Sequence, residues 1–353
     1  MTKMRLVQLA TAALTAALIP SASTAEGRTA PDAERQHALE NLLAGQFKWT
    51  ASAPLVAPVR RPDDPCVSVK DPTIVHFEGR WHLFCTIRSQ KRSHQIEYLS
   101  FADWKDADKA QRHILKINPG YFCAPQVFYF TPQRKWYLIH QVSDEARKIL
   151  QPAYSTSTNI ADPNSWSAPT WFYSEHPDNI KAWIDFWVIC DDTRAHLFFT
   201  SNNGLMWRAE TRLSDFPRGW GKPQIVLQGD IFEASHTYRL KGLDKYLTII
   251  EAVGENGRRY YKAYLADRLD GEWKPLAATR EKPFASPVNV RDAGAHWTDS
   301  FSHGELLRAG HDERLEVDPA NLRFLFQGVG DPERAGKKYG EIPWRLGILE
   351  PAL

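Results

Sequence analysis

From Phe47 onward the chain alternates short apolar runs with polar clusters. The runs are rich in Val, Ile, Phe, Tyr and Trp, and the clusters between them carry Gly, Pro, Asn and Asp. That is the pattern of antiparallel β-sheet. No long stretch has a 3.6-residue period and no βαβ spacing occurs, so helices on a parallel sheet are not expected. No linker rich in Pro, Ser or Gly divides the chain, which predicts one domain over residues 47–353. Residues 26–46 are polar and predict a short helix around Ala33–Leu43.

A weak repeat runs through this alternation. Five times a polar cluster is followed by an apolar strand, a turn and a second aromatic strand. Lys70-Asp71-Pro72-Thr73 precedes IVHF, EGR and WHLFCTI. Ala124-Pro125-Gln126 precedes VFYF, TPQRK and WYLIHQV. The third unit is Asp185 to Cys190, DDTRA and HLFFTS. The fourth is Phe232-Glu233-Ala234-Ser235, then HTYRL, KGLD and KYLTIIEAV. The fifth is Ser302-His303-Gly304-Glu305, LLRAG and, after a longer turn, LRFLFQGV. Self-similarity at this period predicts the blades of an all-β, five-bladed β-propeller. The start of each innermost strand faces the shared axis, so Asp71, Gln126, Asp185, Glu233 and His303 are expected at equivalent positions around one funnel.

Residues 1–25 read as a secretory signal peptide, with Lys3 and Arg5 before an apolar stretch and Ser23-Thr24-Ala25 at its end. The stretch is too short for about 30 Å of hydrocarbon. Export, extracellular or periplasmic, is therefore expected, with no membrane anchor. Removing Lys3 and Arg5 takes the formal charge from +2 to 0, which gives no electrostatic reason to bind nucleic acid or anionic lipid. The 13 Trp, 12 Tyr and 17 Phe fit stacked strands and, for a few exposed rings, platforms for sugar. Cys66, Cys85, Cys123 and Cys190 lie far apart without a CxxC pair, so zinc is not expected. Their pairing is open.

Three carboxylates without a Ser-His-Asp pattern point to acid–base work at an acetal. Glycoside hydrolysis needs one protonated carboxyl and one ionised carboxylate, and their surroundings must separate the two pKa values. Glu233, between Phe232 and Ala234, has an apolar setting that suits the acid. Asp71, beside Lys70, suits the base. Asp185 would raise the pKa of Glu233 by like charge.

At these residues the chain resembles glycoside hydrolase family 62, the α-L-arabinofuranosidases. FKWTASAPLV, VKDPTIV, APQVFYF, YSTSTNIADPNSWSAP, WVICD, LSDFP, FEAS, EAVGENGRRY, SHGE, FQGV and IPWRLGIL follow the family's order from Phe47 to Leu349. The resemblance implies a five-bladed propeller that releases arabinofuranose from arabinoxylan by an inverting mechanism, and a monomer is expected. It assigns Asp71 as general base, Glu233 as general acid and Asp185 as the carboxylate that tunes the acid. It further implies substrate contacts from Lys70, Gln126, Tyr339 and Arg345, and a structural calcium ion on the axis near His303. The alternatives are a family 43-like β-xylosidase or arabinanase, and a carbohydrate-binding propeller that has lost catalysis.

Overall fold

The computed structural model describes residues 30–352, so the expected signal peptide lies outside the described residues. An N-terminal helix, Ala30–Leu43, begins slightly earlier than the sequence pattern predicts. Gly45 ends it at φ +64°, where a Cβ would come within 2.2 Å of the Leu276 carbonyl oxygen. Only glycine combines that approach with that conformation. No described helix is long and apolar enough to cross a membrane.

The rest forms five sheets arranged as the blades of a propeller. Blade one contains Asp64–Phe77, Arg80–Ser89 and Ser93–Phe101, with short strands Arg60–Arg61 and His113–Ile114 at its two edges. Blade two runs Phe122–Phe130, Lys135–Asp144, Ile149–Ser157 and Thr170–Trp171. Blade three runs Ile184–Cys190, Arg194–Thr200, Leu205–Arg212 and Gln224–Gln228. Blade four runs His236–Leu240, Tyr246–Val253, Arg259–Ala266 and Lys274–Ala277. The turns follow their sequence. Glu78 and Gly79, at φ 49° and 75°, make the two-residue turn with both residues left-handed that matches the twist of a hairpin.

Blade five is not the contiguous C-terminal unit that the repeat suggests. Its inner strand Ser300–Leu306 pairs with Phe324–Val329, which pairs with Arg345–Pro351. The next strand is Trp49–Ala51 from the N-terminus, with Trp49 opposite Pro351 and Ala51 opposite Leu349. Both ends of the domain thus share one sheet, and their backbone bonds close the ring. Packing lies in the seams between blades. Val75, Phe84 and Ile96 of blade one meet Val127, Trp136 and Leu138 of blade two in one buried cluster.

Two features shape the axis. First, the strand pairing slips by one residue within the inner strands of blades one, two, three and five. Blade four does the same through Glu251 N–H to Glu233 carbonyl at 3.0 Å, followed by His236 opposite Ile249. The bulged residue carries positive φ in four blades: Asp71 at 46°, Ala124 at 51°, Asp185 at 57° and Ala234 at 53°. Such bulges re-aim side chains.

Second, the segment from Leu307 to Val317 crosses the other ends of the inner strands. Arg308 donates to the Ile74 carbonyl of blade one at 2.8 Å. The Tyr129 and Cys190 amides donate to the carbonyls of His311 and Glu313, both at 2.8 Å. Val317 pairs with Leu240 of blade four. This segment therefore covers the ends of the inner strands opposite the bulges.

Candidate active site

The bulges sort the five expected residues differently from the repeat. Asp71 and Asp185 do occupy equivalent bulged positions. Blades two and four place Ala124 and Ala234 there, while Gln126 stands two residues later and Glu233 one residue earlier. The one-residue offset of Glu233 would turn its side chain away in a regular strand, but the bulge at Ala234 re-aims it, whereas Gln126 is held in the seam with blade three by Val188. The expectation of five equivalent polar positions is corrected on this point.

Asp71, Asp185, Glu233 and His303 nevertheless converge. The imidazole Nδ1 of His303 lies 3.4 Å from Asp71 Oδ1 and 3.5 Å from Asp185 Oδ2, so one ring bridges blades one and three. Asp185 Oδ2 also accepts from the Ala234 amide at 3.1 Å, which ties it to the residue after Glu233. All four are at least nine-tenths buried. The Asp71 amide donates to Gln327 Oε1 at 2.8 Å, and Gln327 Nε2 donates to Ser302 Oγ at 3.0 Å.

The surroundings drive the two outer carboxyls apart. Burial alone would raise Asp71, but the Lys70 ammonium and His303 beside it offset that and hold its pKa below the ordinary aspartate value. Burial is the largest influence on Lys70 and opposes its charge, but Asp71 and Tyr339 with their neighbours together overcome it and leave Lys70 above the ordinary lysine value. Burial pushes Glu233 well above the usual glutamate range, and the nearby carboxyls of Glu251 and then Asp185 push it further. Asp185 is itself raised, first by burial.

Glu251 is the residue that sequence reasoning missed. It is fully buried, with Oε2 accepting from the His303 amide at 2.7 Å, both oxygens accepting from Ser302 Oγ at 3.0 Å, and Arg259 Nη1 at 3.4 Å. The signal was present: Glu251 is the sole charge in the apolar strand Tyr246–Val253. The Arg259 guanidinium in turn stacks on Phe232, 4.0 Å from the ring centre. Asn202, in the turn between the second and third strands of blade three, donates to Glu233 Oε2 at 3.3 Å.

The expected substrate contacts divide. The Lys70 ammonium meets the Tyr339 hydroxyl at 3.3 Å and lies over its ring, and Tyr339 is 48 % exposed at the mouth. Gln126 is fully buried, and its amide bonds the Val188 carbonyl and amide of blade three at 2.7 Å each. Both of its polar ends are consumed in a staple between blades, so it does not face substrate. Arg345 pairs with Glu333 and lies over Trp297, away from the carboxylates. Four buried thiols remain unpaired.

A calcium ion takes six to eight oxygen ligands. Among the described residues no group of three or more His, Cys, Asp or Glu could hold a metal ion. His303 Nδ1 is committed to the two aspartates. Among the described residues, no set of carboxylates is therefore gathered around His303 in a form that fits such an ion.

Known proteins resemble this chain in sequence and fold. A curated α-L-arabinofuranosidase C from Cellvibrio japonicus (strain Ueda107) is 38 % identical over 315 residues, covering 87 % of this chain and 47 % of its own length. The chain thus spans about half of that relative. The solved α-L-arabinofuranosidase of Podospora anserina, in complex with cellotriose, is 39 % identical with a TM-score of 0.81, covering 87 % of this chain and 97 % of its own. A family 62 hydrolase solved with xylotriose is 36 % identical with a TM-score of 0.82, over 88 % and 99 % of the two chains. The model of glycosyl hydrolase family 62 matches residues 48–350, and with a closed five-bladed ring around Asp71, Asp185 and Glu233, the chain belongs to that family.

Proposed function

We propose that this protein is an exo-acting α-L-arabinofuranosidase that removes arabinofuranosyl side groups from arabinoxylan with inversion. The observation that carries the reading is the convergence of three buried carboxyls, Asp71 and Asp185 bridged by His303 and Glu233 joined to Asp185 through the Ala234 amide, in surroundings that favour an ionised Asp71 and a protonated Glu233. With the far ends of the inner strands covered, substrate has to approach from the bulged side, which suits a single terminal sugar better than a polymer threaded through the ring. The relative named as an arabinofuranosidase and the family structure solved with xylotriose support the sugar and the xylan backbone.

In this reading Glu233 gives its proton to the glycosidic oxygen as the C1–O bond breaks. Asp71 takes a proton from the water that attacks C1 from the opposite face. Asp185, bonded to the Ala234 amide, holds the acid's strand end and adds like charge. Lys70 and Tyr339 line the mouth, where a sugar hydroxyl would meet a donor and a ring face. Asp71 on blade one and Glu233 on blade four are not neighbours around the ring. That favours the wider separation, about 6.5 to 9.5 Å, that inverting enzymes use to admit water. His303, the residue that the resemblance ties to calcium, offers a ring nitrogen rather than an oxygen, and no step above runs through a metal. The signal-like residues 1–25 support export of a monomeric enzyme to meet a polymeric substrate.

Incubation with wheat arabinoxylan and sugar-beet arabinan, with identification of the released sugar, tests the proposal. L-Arabinose with little xylose is expected from arabinoxylan. Xylo-oligosaccharides as main products would replace it with an endo-acting reading.

A further inference from the structure

The turn Ser201–Gly204 joins two strands of blade three at the mouth of the funnel. It is a built turn. Trp207 Nε1 donates to Ser201 Oγ at 2.9 Å, and Ser201 Oγ donates to Asn203 Oδ1 at 2.6 Å. The Gly229 amide donates to the Gly204 carbonyl at 2.9 Å, and Gly204, at φ +85°, has no room for a Cβ against the Gly229 oxygen. Asn202 sits within this turn in the left-handed region at φ 55°, which Asn tolerates better than most residues. Its amide reaches across to blade four and donates to Glu233 Oε2 at 3.3 Å.

An N–H donor needs an oxygen with a free lone pair. In the neutral form of a carboxyl the carbonyl oxygen is the stronger acceptor, so a donor fixed on one oxygen favours the proton on the other. Resting on the acid role of Glu233 proposed above, we infer that Asn202 is a positioning residue that keeps the Glu233 proton on Oε1, aimed at the glycosidic oxygen. The amide does not touch the reacting atoms. It selects which of two oxygens carries the proton and steadies the carboxyl plane. Glu251, Asp185, Arg259 and Lys70 are the charged groups around Glu233, and none of them supplies a neutral donor to Oε2.

A positioning role for the acid makes a specific demand. Its loss should matter when the leaving group needs a proton and little when it does not. Asn202→Gly keeps the left-handed turn and deletes the amide. Asn202→Asp keeps shape and conformation and replaces the donor by an acceptor. On arabinoxylan, whose leaving group is a sugar hydroxyl, both should lower kcat roughly ten- to hundredfold, within the range that acid catalysis and its alignment supply. KM should stay near the wild-type value. On 4-nitrophenyl α-L-arabinofuranoside, whose phenolate leaves unaided, the loss should be severalfold smaller. The alkaline limb of Asn202→Gly on arabinoxylan should also move to higher pH, because a donor that favours ionised Glu233 is gone.

Unchanged kcat on arabinoxylan overturns the inference. So does an equal loss on both substrates with an unmoved alkaline limb, which marks a purely structural turn. A wild-type protein that releases no arabinose from either substrate sinks the proposed function instead, so the two failures are distinct.

Discussion

Glu251 and Glu233 are backbone partners across a bulge, with the Glu251 amide donating to the Glu233 carbonyl at 3.0 Å. That pairing brings a second buried carboxyl to the candidate acid, ahead of Asp185 in its effect. Glu233 acts only while protonated, so activity is lost as pH rises through its pKa. Glu251→Gln removes a neighbouring buried charge and leaves the Arg259 cation uncompensated, and both changes favour ionised Glu233. The alkaline limb of kcat/KM against pH should therefore move to lower pH. An unmoved limb in a folded variant would exclude Glu251 as the source of the shift.

Lys70 acts on the other limb. Its ammonium favours ionised Asp71, and Asp71 serves as base only when ionised, so activity falls as pH drops through a depressed pKa. Lys70→Met removes that support and raises the Asp71 pKa. The acid limb should then move to higher pH, and kcat/KM on arabinoxylan should drop at least about tenfold as a charge-assisted contact worth about 1.5 to 3 kcal/mol is lost. A pH–rate profile between pH 3 and pH 8 reads both effects.

The order of blades around the axis predicts stereochemistry. With base and acid on opposite walls, water enters from the face away from the leaving group. β-L-Arabinofuranose should be the first product, visible by proton NMR in the opening minutes before mutarotation. An initial α-anomer would remove Asp71 from the role of base.

Gln126 should behave as a staple. Gln126→Ala leaves the Val188 amide and carbonyl without partners in a fully buried seam, and each such orphan costs about 1 to 3 kcal/mol. Urea denaturation should show a loss of about 2 kcal/mol or more, while KM for arabinoxylan stays unchanged. A raised KM with unchanged stability would return Gln126 to the substrate side.

Much of this was readable from the chain itself. Alternating apolar runs and left-handed turn residues such as Glu78-Gly79 dictate hairpins, because those preferences are local. A fivefold recurrence of strand pairs dictates blades, since one such sheet cannot bury both faces alone. Asp71 and Glu233 stood out because each lies at the head of an inner strand, beside a cation or an apolar neighbour in sequence.

Tertiary structure decided what depends on residues far apart. Only ring closure shows that Trp49–Ala51 completes blade five, because its partner strand lies at the opposite end of the chain. Only the packing between blades separates Asp71 and Asp185 from Gln126, whose amide is consumed by the Val188 backbone of the next blade. Glu251 looked like an ordinary strand residue until its backbone pairing placed it against Glu233. The pKa of a buried carboxyl answers to every charge around it in space, and a sequence lists only the neighbours along the chain.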